Sequence, residues 1–296
     1  MPLYLAANIM LTQPAFDLYL PDRRDTSVVF SSPHSGKDYP PSLLARTALD
    51  ERSIRSSEDA FVDVLFSQAP QLGAPLLAAR VPRAFIDLNR SADELDPALI
   101  EGILRAPHNP RVSSGLGVIP RVVANGRPIY RGKLPLREAQ DRLEQVWQPY
   151  HEALRKLLDE SLAQFGEAIL LDCHSMPHEA IETHSRSSQP RPDVVLGDRF
   201  GAAASRAVMD EVEAAFEEVG LRVARNAPFA GAYITQAYGR PSRNQHVVQI
   251  EIDRALYMDE ATIQPRADFV AFQQLISGVI ARIAGGRTRG LPLAAE

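Results

Sequence analysis

One cysteine, Cys173, stands in a chain of 296 residues, so no internal disulfide can form and a reducing compartment is expected. No run approaches the roughly 18 consecutive apolar residues that cross a bilayer. The segment Met1 to Asn8 lacks the basic start and apolar stretch of a secretory signal, which points to the cytosol. There is no Gly-rich phosphate loop, no Gly-x-Ser-x-Gly elbow and no Cys-x-x-Cys pair, so these motifs support neither nucleotide binding, serine hydrolysis nor dithiol chemistry. Positive charge is also short: 32 Lys+Arg against 37 Asp+Glu give a net charge of −5. A protein that binds a phosphate backbone normally shows a basic stripe, and none is visible here. The basic residues are mostly arginines placed singly, which suits planar recognition of carboxylates.

The chain has the composition of a globular protein with a core: 45% hydrophobic and 23% charged residues. Repeats and low-complexity segments are absent. Short apolar runs alternate with amphipathic stretches, which predicts an α/β sandwich formed by residues 1–296 as a single domain, with a loosely ordered tail from about 286. Strands are expected at Ser27–Ser31, Leu76–Arg80, Ala84–Asp87, Ala168–Leu171, Asp193–Leu196 and Val247–Asp253. Helices are expected at Glu58–Gln68, at Leu136–Gln164 with a kink near Pro149, at Arg199–Val219 capped by Asp198 and stopped by Gly220, and at Ala267–Ala284. The Pro- and Gly-rich region Asp93–Lys133 has little periodicity, and so long a loop in a compact domain reads as a site wall or lid.

Two segments share a layout. Val28-Val29-Phe30-Ser31 runs into Ser32-Pro33-His34-Ser35-Gly36, and Ala168-Ile169-Leu170-Leu171 runs into Asp172-Cys173-His174-Ser175. Each is an apolar strand delivering a histidine near its carboxyl end, where open α/β sheets bind ligands. Two such imidazoles facing one another can hold a zinc-like cation, although a single strand-end histidine is more often a hydrogen-bonded loop residue. A third, anionic ligand is available from Glu58-Asp59. That pair also reads as a capping box on Ser56 at a helix start, and spacing alone leaves the two readings even.

Glu251 sits mid-strand between apolar neighbours, where burial would raise its pKa toward that of a general base. It reads equally well as part of a solvated face with Gln249 and Asp253. Asp87-Leu88-Asn89-Arg90 presents an amide beside a guanidinium, a carboxylate grip in one reading and a surface Asp87–Arg90 ion pair in the other. Arg83, just before it, can polarise an acyl oxygen. Cys173 reads as a small buried filler, and His151 as structural.

Taken in order, these segments resemble the N-formylglutamate amidohydrolase family. The resemblance runs from about Val28 to Glu260. It is carried by Pro33-His34-Ser35-Gly36, Glu58-Asp59 opening Phe61-Val62-Asp63-Val64-Leu65-Phe66, Arg83 with Asp87-Leu88-Asn89-Arg90, Ile129-Tyr130-Arg131, Asp172-Cys173-His174-Ser175-Met176-Pro177, Asn226 through Gly239, and Val248-Gln249-Ile250-Glu251-Ile252 with Arg254-Ala255-Leu256-Tyr257-Met258. It implies a three-layer α/β/α sandwich around a mixed, mostly parallel sheet, related to zinc carboxypeptidases and aspartoacylases. It further implies one divalent metal ion, zinc with cobalt or manganese as options, held by His34, Asp59 and His174. In the same comparison Glu251 activates the water and Arg83 polarises the scissile carbonyl. Asn89 and Arg90 hold a substrate carboxylate, and Tyr130, Arg131, Tyr233 and Thr235 complete the substrate site.

The activity implied is hydrolysis of N-formyl-L-glutamate, or of a close N-acyl amino acid, to formate and glutamate in histidine catabolism. The partner is then a small acidic substrate, with no nucleic acid and no membrane. Alternatives are an amidohydrolase of a different N-acyl amino acid, or a non-catalytic carboxylate-binding protein on the same fold. One departure is visible: where the family has two glycines before the tyrosine, this chain reads Ala230-Gly231-Ala232-Tyr233, adding a methyl group at position 232.

Overall fold

A computed structural model describes residues 13–103, 109–123, 126–182 and 191–286. The segment Met1 to Asn8 and most of the tail expected from 286 onward lie outside these residues. Seven strands form the central sheet: β1 (Phe16–Tyr19), β2 (Val28–Ser32), β3 (Leu76–Ala79), β4 (Ala168–Met176), β5 (Val194–Gly197), β6 (Val223–Arg225) and β7 (Gln245–Asp253). Their order is β1-β3-β2-β4-β7-β5-β6. The four central strands β3, β2, β4 and β7 are parallel, while β1 and β5 join antiparallel at either side, so the sheet is mixed and mostly parallel.

The period of two along each strand sorts its side chains onto two faces. Val28, Phe30, Ile169, Leu171, Val248 and Ile250 meet helices Arg206–Glu218 and Phe269–Gly286. Val29, Leu170 and Val247 meet helix Gln148–Phe165 and the long loop on the opposite face. The result is the expected α/β/α sandwich. Helix Phe269–Gly286 is long and apolar enough to cross a membrane by length and composition. It buries Phe272, Ile276, Val279, Ile280 and Ile283 on the sheet and ties Gln273 to the Val64 carbonyl at 2.8 Å, as a core helix does.

Several sequence expectations change in detail. Ala84–Asp87 is not a strand but a buried turn begun by Pro82, whose carbonyl accepts from the Phe85 amide at 2.9 Å. A four-residue apolar run cannot distinguish strand from packed turn, and here the burial comes from Phe85 lying under the Arg142 guanidinium at 4.0 Å. The helix expected from Glu58 shrinks to Val62–Leu65, because Phe61 takes a left-handed φ of 67°. The helix expected from Arg199 starts at Arg206 instead. Arg199, Phe200 and Gly201 all have positive φ, Ser205 caps the helix through the Val208 amide, and Asp198 pairs with Asn226. The expected kink at Pro149 appears as a π-helical turn, Leu143–Trp147, which absorbs the hydrogen bond the proline cannot make. Strands β1 and β6, short and only partly buried, were not anticipated.

His151 is structural, as expected. Its Nε2 lies 2.9 Å from the Leu88 carbonyl, which only accepts, so Nε2 carries the proton and Nδ1 accepts from the Tyr238 hydroxyl at 2.9 Å. Burial pushes its pKa down from 6.5 to about 4. The folded state therefore binds this proton less readily than the unfolded state. The associated stability is complete above pH 6.5 and is lost as pH falls from there through 4. It amounts to about 3 kcal/mol at most. Urea unfolding of the parent and of His151→Gln should show a gap that narrows between pH 7.5 and pH 5; a gap independent of pH would contradict this assignment.

Candidate active site

The strand that carries Asp172 and His174 lies beside the strand that carries Gln249 and Glu251. Their register pairs Asp172 with Gln249 and His174 with Glu251. Because the side-chain period is two, these four polar groups share one face of the sheet, while Cys173, Ile250 and Ile252 point into the opposite core. The solvated-face reading of Glu251 is thereby replaced, since the residue is only 9% exposed.

His34 arrives from the loop just beyond β2. Gly36 allows that loop its path: a Cβ there would sit 2.2 Å from the Val81 carbonyl oxygen, so no other residue fits without backbone movement. Asp59 is tied to the same loop by its amide, which donates to the His34 carbonyl at 3.0 Å. Its side chain does not cap a helix. Oδ1 accepts from Arg254 Nη2 at 2.9 Å, and Oδ2 lies 3.0 Å from His174 Nδ1 and 3.4 Å from His34 Nδ1. Glu58 turns away to Arg55 and Tyr39.

The far nitrogen of each imidazole meets a buried carboxylate. His34 Nε2 is 2.7 Å from Asp87 Oδ1, and His174 Nε2 is 3.0 Å from Asp172 Oδ2. Asn89 Nδ2 also lies 3.2 Å from His174 Nε2, but it is a donor. The shorter carboxylate contact makes Nε2 the protonated nitrogen and leaves Asn89 to donate to Asp172 and Gln249. Both rings then present bare Nδ1 atoms, 3.1 Å apart, toward the Asp59 oxygen.

Three electron-pair donors aimed at one point repel unless a proton or a cation sits among them. The electrostatics follow that arrangement. Burial disfavours the Asp59 carboxylate, yet His174, His34 and Arg254 hold its pKa well below the usual range. Burial likewise disfavours protonated His174, yet Asp172, Asp59 and Glu251 raise its pKa well above 6.5. One ligand atom from each of His34, Asp59 and His174 lies within 4.8 Å of the others, all three residues being buried. Two imidazoles and one carboxylate, each oriented from behind, form the donor set of a catalytic zinc-type site with further positions open. The residues therefore fit one divalent cation, and nitrogen and oxygen donors suit zinc, cobalt and manganese alike.

Beside this trio, burial pushes Glu251 up to about 7, with His174 drawing it down and Asp59 pushing it further up. Gln249 Nε2 donates to its Oε1 at 2.9 Å. Arg83 donates to Asp87 Oδ2 at 2.8 Å. Asp87 also accepts from His34 and from the Asn89 amide, so it is a buried hub and not half of a surface pair with Arg90. All these groups open onto one cavity of about 560 Å³.

The comparisons with known proteins agree on one family. The family model for N-formylglutamate amidohydrolase matches residues 26–258. The chain belongs to the N-formylglutamate amidohydrolase family. Its relatives include the N-formylglutamate deformylase of Pseudomonas aeruginosa, 33% identical over 252 residues that cover 81% of this chain and 86% of that protein. The corresponding deformylase of Pseudomonas putida is 32% identical over 79% of this chain and 82% of its own length. The crystal structure of N-formylglutamate amidohydrolase from Ralstonia eutropha JMP134 superposes with a TM-score of 0.88 at 36% identity, covering 94% of this chain and all of that one.

The structure of this family member brings His34, Asp59, Arg83, Asn89, Arg90, His174 and Glu251 to the cavity, and it leaves four other predicted residues off its wall. Tyr130 is buried with its hydroxyl taken by Arg142 at 2.6 Å. Arg131 is exposed elsewhere. Tyr233 packs its ring on Trp147 and His151, and Thr235 bonds the Ala232 carbonyl at 2.8 Å. Asn89, though at the cavity, is 2% exposed and has its oxygen engaged by the Ile234 amide at 2.7 Å, so it braces the site more than it faces a ligand. Ala232, the departure from the family pattern, lines the cavity and gives its amide to Gln249. The wall expected of the long loop is present, built by Arg111, Ser114, Leu116, Pro120, Val122 and Val123.

Asp172, Gln249 and Arg254 stand in the motifs of the resemblance but receive no role from the sequence. The signal for Asp172 was available, since residues two apart on a strand share a face. Asp172→Asn keeps the shape but takes the charge from behind His174. It should weaken zinc affinity about 10- to 100-fold in competition with a chromogenic chelator; unaltered affinity would mean that Asp172 does not orient the ring.

Proposed function

We propose that this protein hydrolyses the formamide bond of N-formyl-L-glutamate, or of a close N-formyl amino acid, to formate and the free amino acid in a cation-dependent reaction. The observation that carries the reading is the convergence of His34 Nδ1, Asp59 Oδ2 and His174 Nδ1 beside a carboxylate with a pKa of about 7. The named activity of the Pseudomonas relatives supplies the substrate.

His34, Asp59 and His174 would hold the cation. When bound, a divalent cation supplies Lewis acidity, which brings the pKa of a water from about 15.7 toward 7 and withdraws electron density from a carbonyl oxygen.

The chain's own groups do the rest. Glu251 takes a proton from the attacking water as its oxygen bonds to the formyl carbon. Arg83, held in place by Asp87, faces the oxyanion that forms, a contact worth a few kcal/mol in the transition state. Glu251 then returns the proton to the amine nitrogen as the C–N bond breaks. A carboxylate with a pKa of about 7 is matched to taking and giving a proton near neutrality. Arg90, anchored by backbone carbonyls of Leu116 and Asn89, receives a substrate carboxylate.

The test is formate release from a panel of N-formyl and N-acetyl amino acids by zinc-loaded protein. The reading predicts turnover of N-formylglutamate above every acetyl compound. No formate from any N-formyl amino acid, with ligands still bound, would favour a non-catalytic binder.

A further inference from the structure

Charge in the cavity wall does not balance. Of its arginines, Arg254 is neutralised by Asp59 and Arg83 by Asp87. Among the described residues Arg90 has only the carbonyls of Leu116 and Asn89 within hydrogen-bond distance, and Arg111 forms no side-chain hydrogen bond or ion pair. Glu251, the remaining acid on the wall, is engaged by Gln249 at the opposite, sheet side.

Arg90 and Arg111 are held together by one piece of backbone. Arg90 Nε donates to the Leu116 carbonyl at 3.0 Å, and the Leu116 amide donates to the Arg111 carbonyl at 2.8 Å. Arg111 itself stands in the short helix Pro110–Ser113, whose end is fixed by Asn109 accepting from the Arg111 and Val112 amides. Its charge reaches Arg90: burial disfavours ionisation there, Asp87 and Glu94 favour it, and Arg83 and Arg111 oppose it. Asp87 and Glu94 offset part of the charge at Arg90, but Arg111 has no ion-pair partner among the described residues, and its added positive charge on the wall suits an anion with two carboxylates.

We propose that Arg111 is the specificity-determining residue for the side-chain carboxylate of a dicarboxylic N-formyl amino acid, with Arg90 taking the other carboxylate. This rests on the N-formyl amino acid reading above. It assigns the second carboxylate to the loop wall, since Tyr130, Arg131 and Tyr233 lie off the cavity.

Arg111→Met tests it, because the residue is exposed and its loss leaves the core intact. Kinetics on N-formylglutamate and on its uncharged isostere N-formylglutamine would be compared for parent and variant. Glutarate binding would be measured by calorimetry on both zinc-loaded proteins. Loss of one charged hydrogen-bonding partner should lower kcat/KM for N-formylglutamate roughly 10- to 100-fold, chiefly through KM, and weaken glutarate similarly. N-formylglutamine turnover should change little, and Arg111→Lys should restore part of the loss.

Equal losses on both substrates, or undiminished glutarate affinity, would overturn the assignment while leaving the amidohydrolase reading intact. Absence of turnover by the parent on both substrates would instead strike that reading, and glutarate binding would still decide the role of Arg111.

Discussion

Glu251→Gln should lower kcat on N-formylglutamate by about 10²- to 10⁴-fold, the range in which a positioned proton-transfer group contributes. KM should move little, since the side chain keeps its size and its oxygen can still accept from Gln249. The fold should not suffer. The ionised carboxylate is disfavoured by burial, which is why its pKa rises to about 7, so at pH 8 an uncharged isostere removes a cost. A thermal midpoint at pH 8 no lower than that of the parent, together with the collapse in kcat, separates lost chemistry from lost structure. Turnover within a few-fold of the parent would remove Glu251 from the mechanism.

His174→Ala should have a comparable effect by a different route. It deletes one of the three converging donors and leaves Asp172 buried without the ring it orients. Metal after exhaustive dialysis should drop from one equivalent per chain to a small fraction, read by elemental analysis. Formate release should fall about 10³-fold or more, because several kcal/mol of Lewis-acid stabilisation go with the cation. The parent treated with a strong chelator should lose activity in the same way and regain it with zinc, whereas the variant should not. Full activity in a metal-free parent would show that the three donors serve a structural purpose.

Parts of this architecture can be read directly from the chain. In the second halves of β4 and β7 apolar and polar residues alternate, over Leu171–His174 and Val248–Asp253, so the face carrying Asp172, His174, Gln249 and Glu251 follows from the period of two. Which strand lies next to which does not follow. His174 and Glu251 are 77 positions apart, and their pairing depends on a register set by the whole sheet. The choice of Asp59 over Glu58 came from family resemblance, because both acids precede the same short helix. Only the left-handed turn at Phe61 and the Arg254 contact show why Asp59 faces inward.

That Tyr130 and Arg131 lie off the cavity wall is not legible in the sequence, for a related reason. A Tyr-Arg pair in an irregular loop carries no periodicity, so nothing local reveals that the tyrosine turns into the core to meet Arg142. Nothing local marks Arg111 for the same reason: its place in the charge balance depends on a wall assembled from several distant segments.

The proposed reaction requires one divalent cation among His34, Asp59 and His174. Crystals grown with zinc, with diffraction recorded at the zinc absorption edge, test it most directly. A single strong anomalous peak is expected about 2.0–2.2 Å from both Nδ1 atoms and from an Asp59 oxygen. A peak elsewhere on the chain, or none among these three side chains, would contradict it.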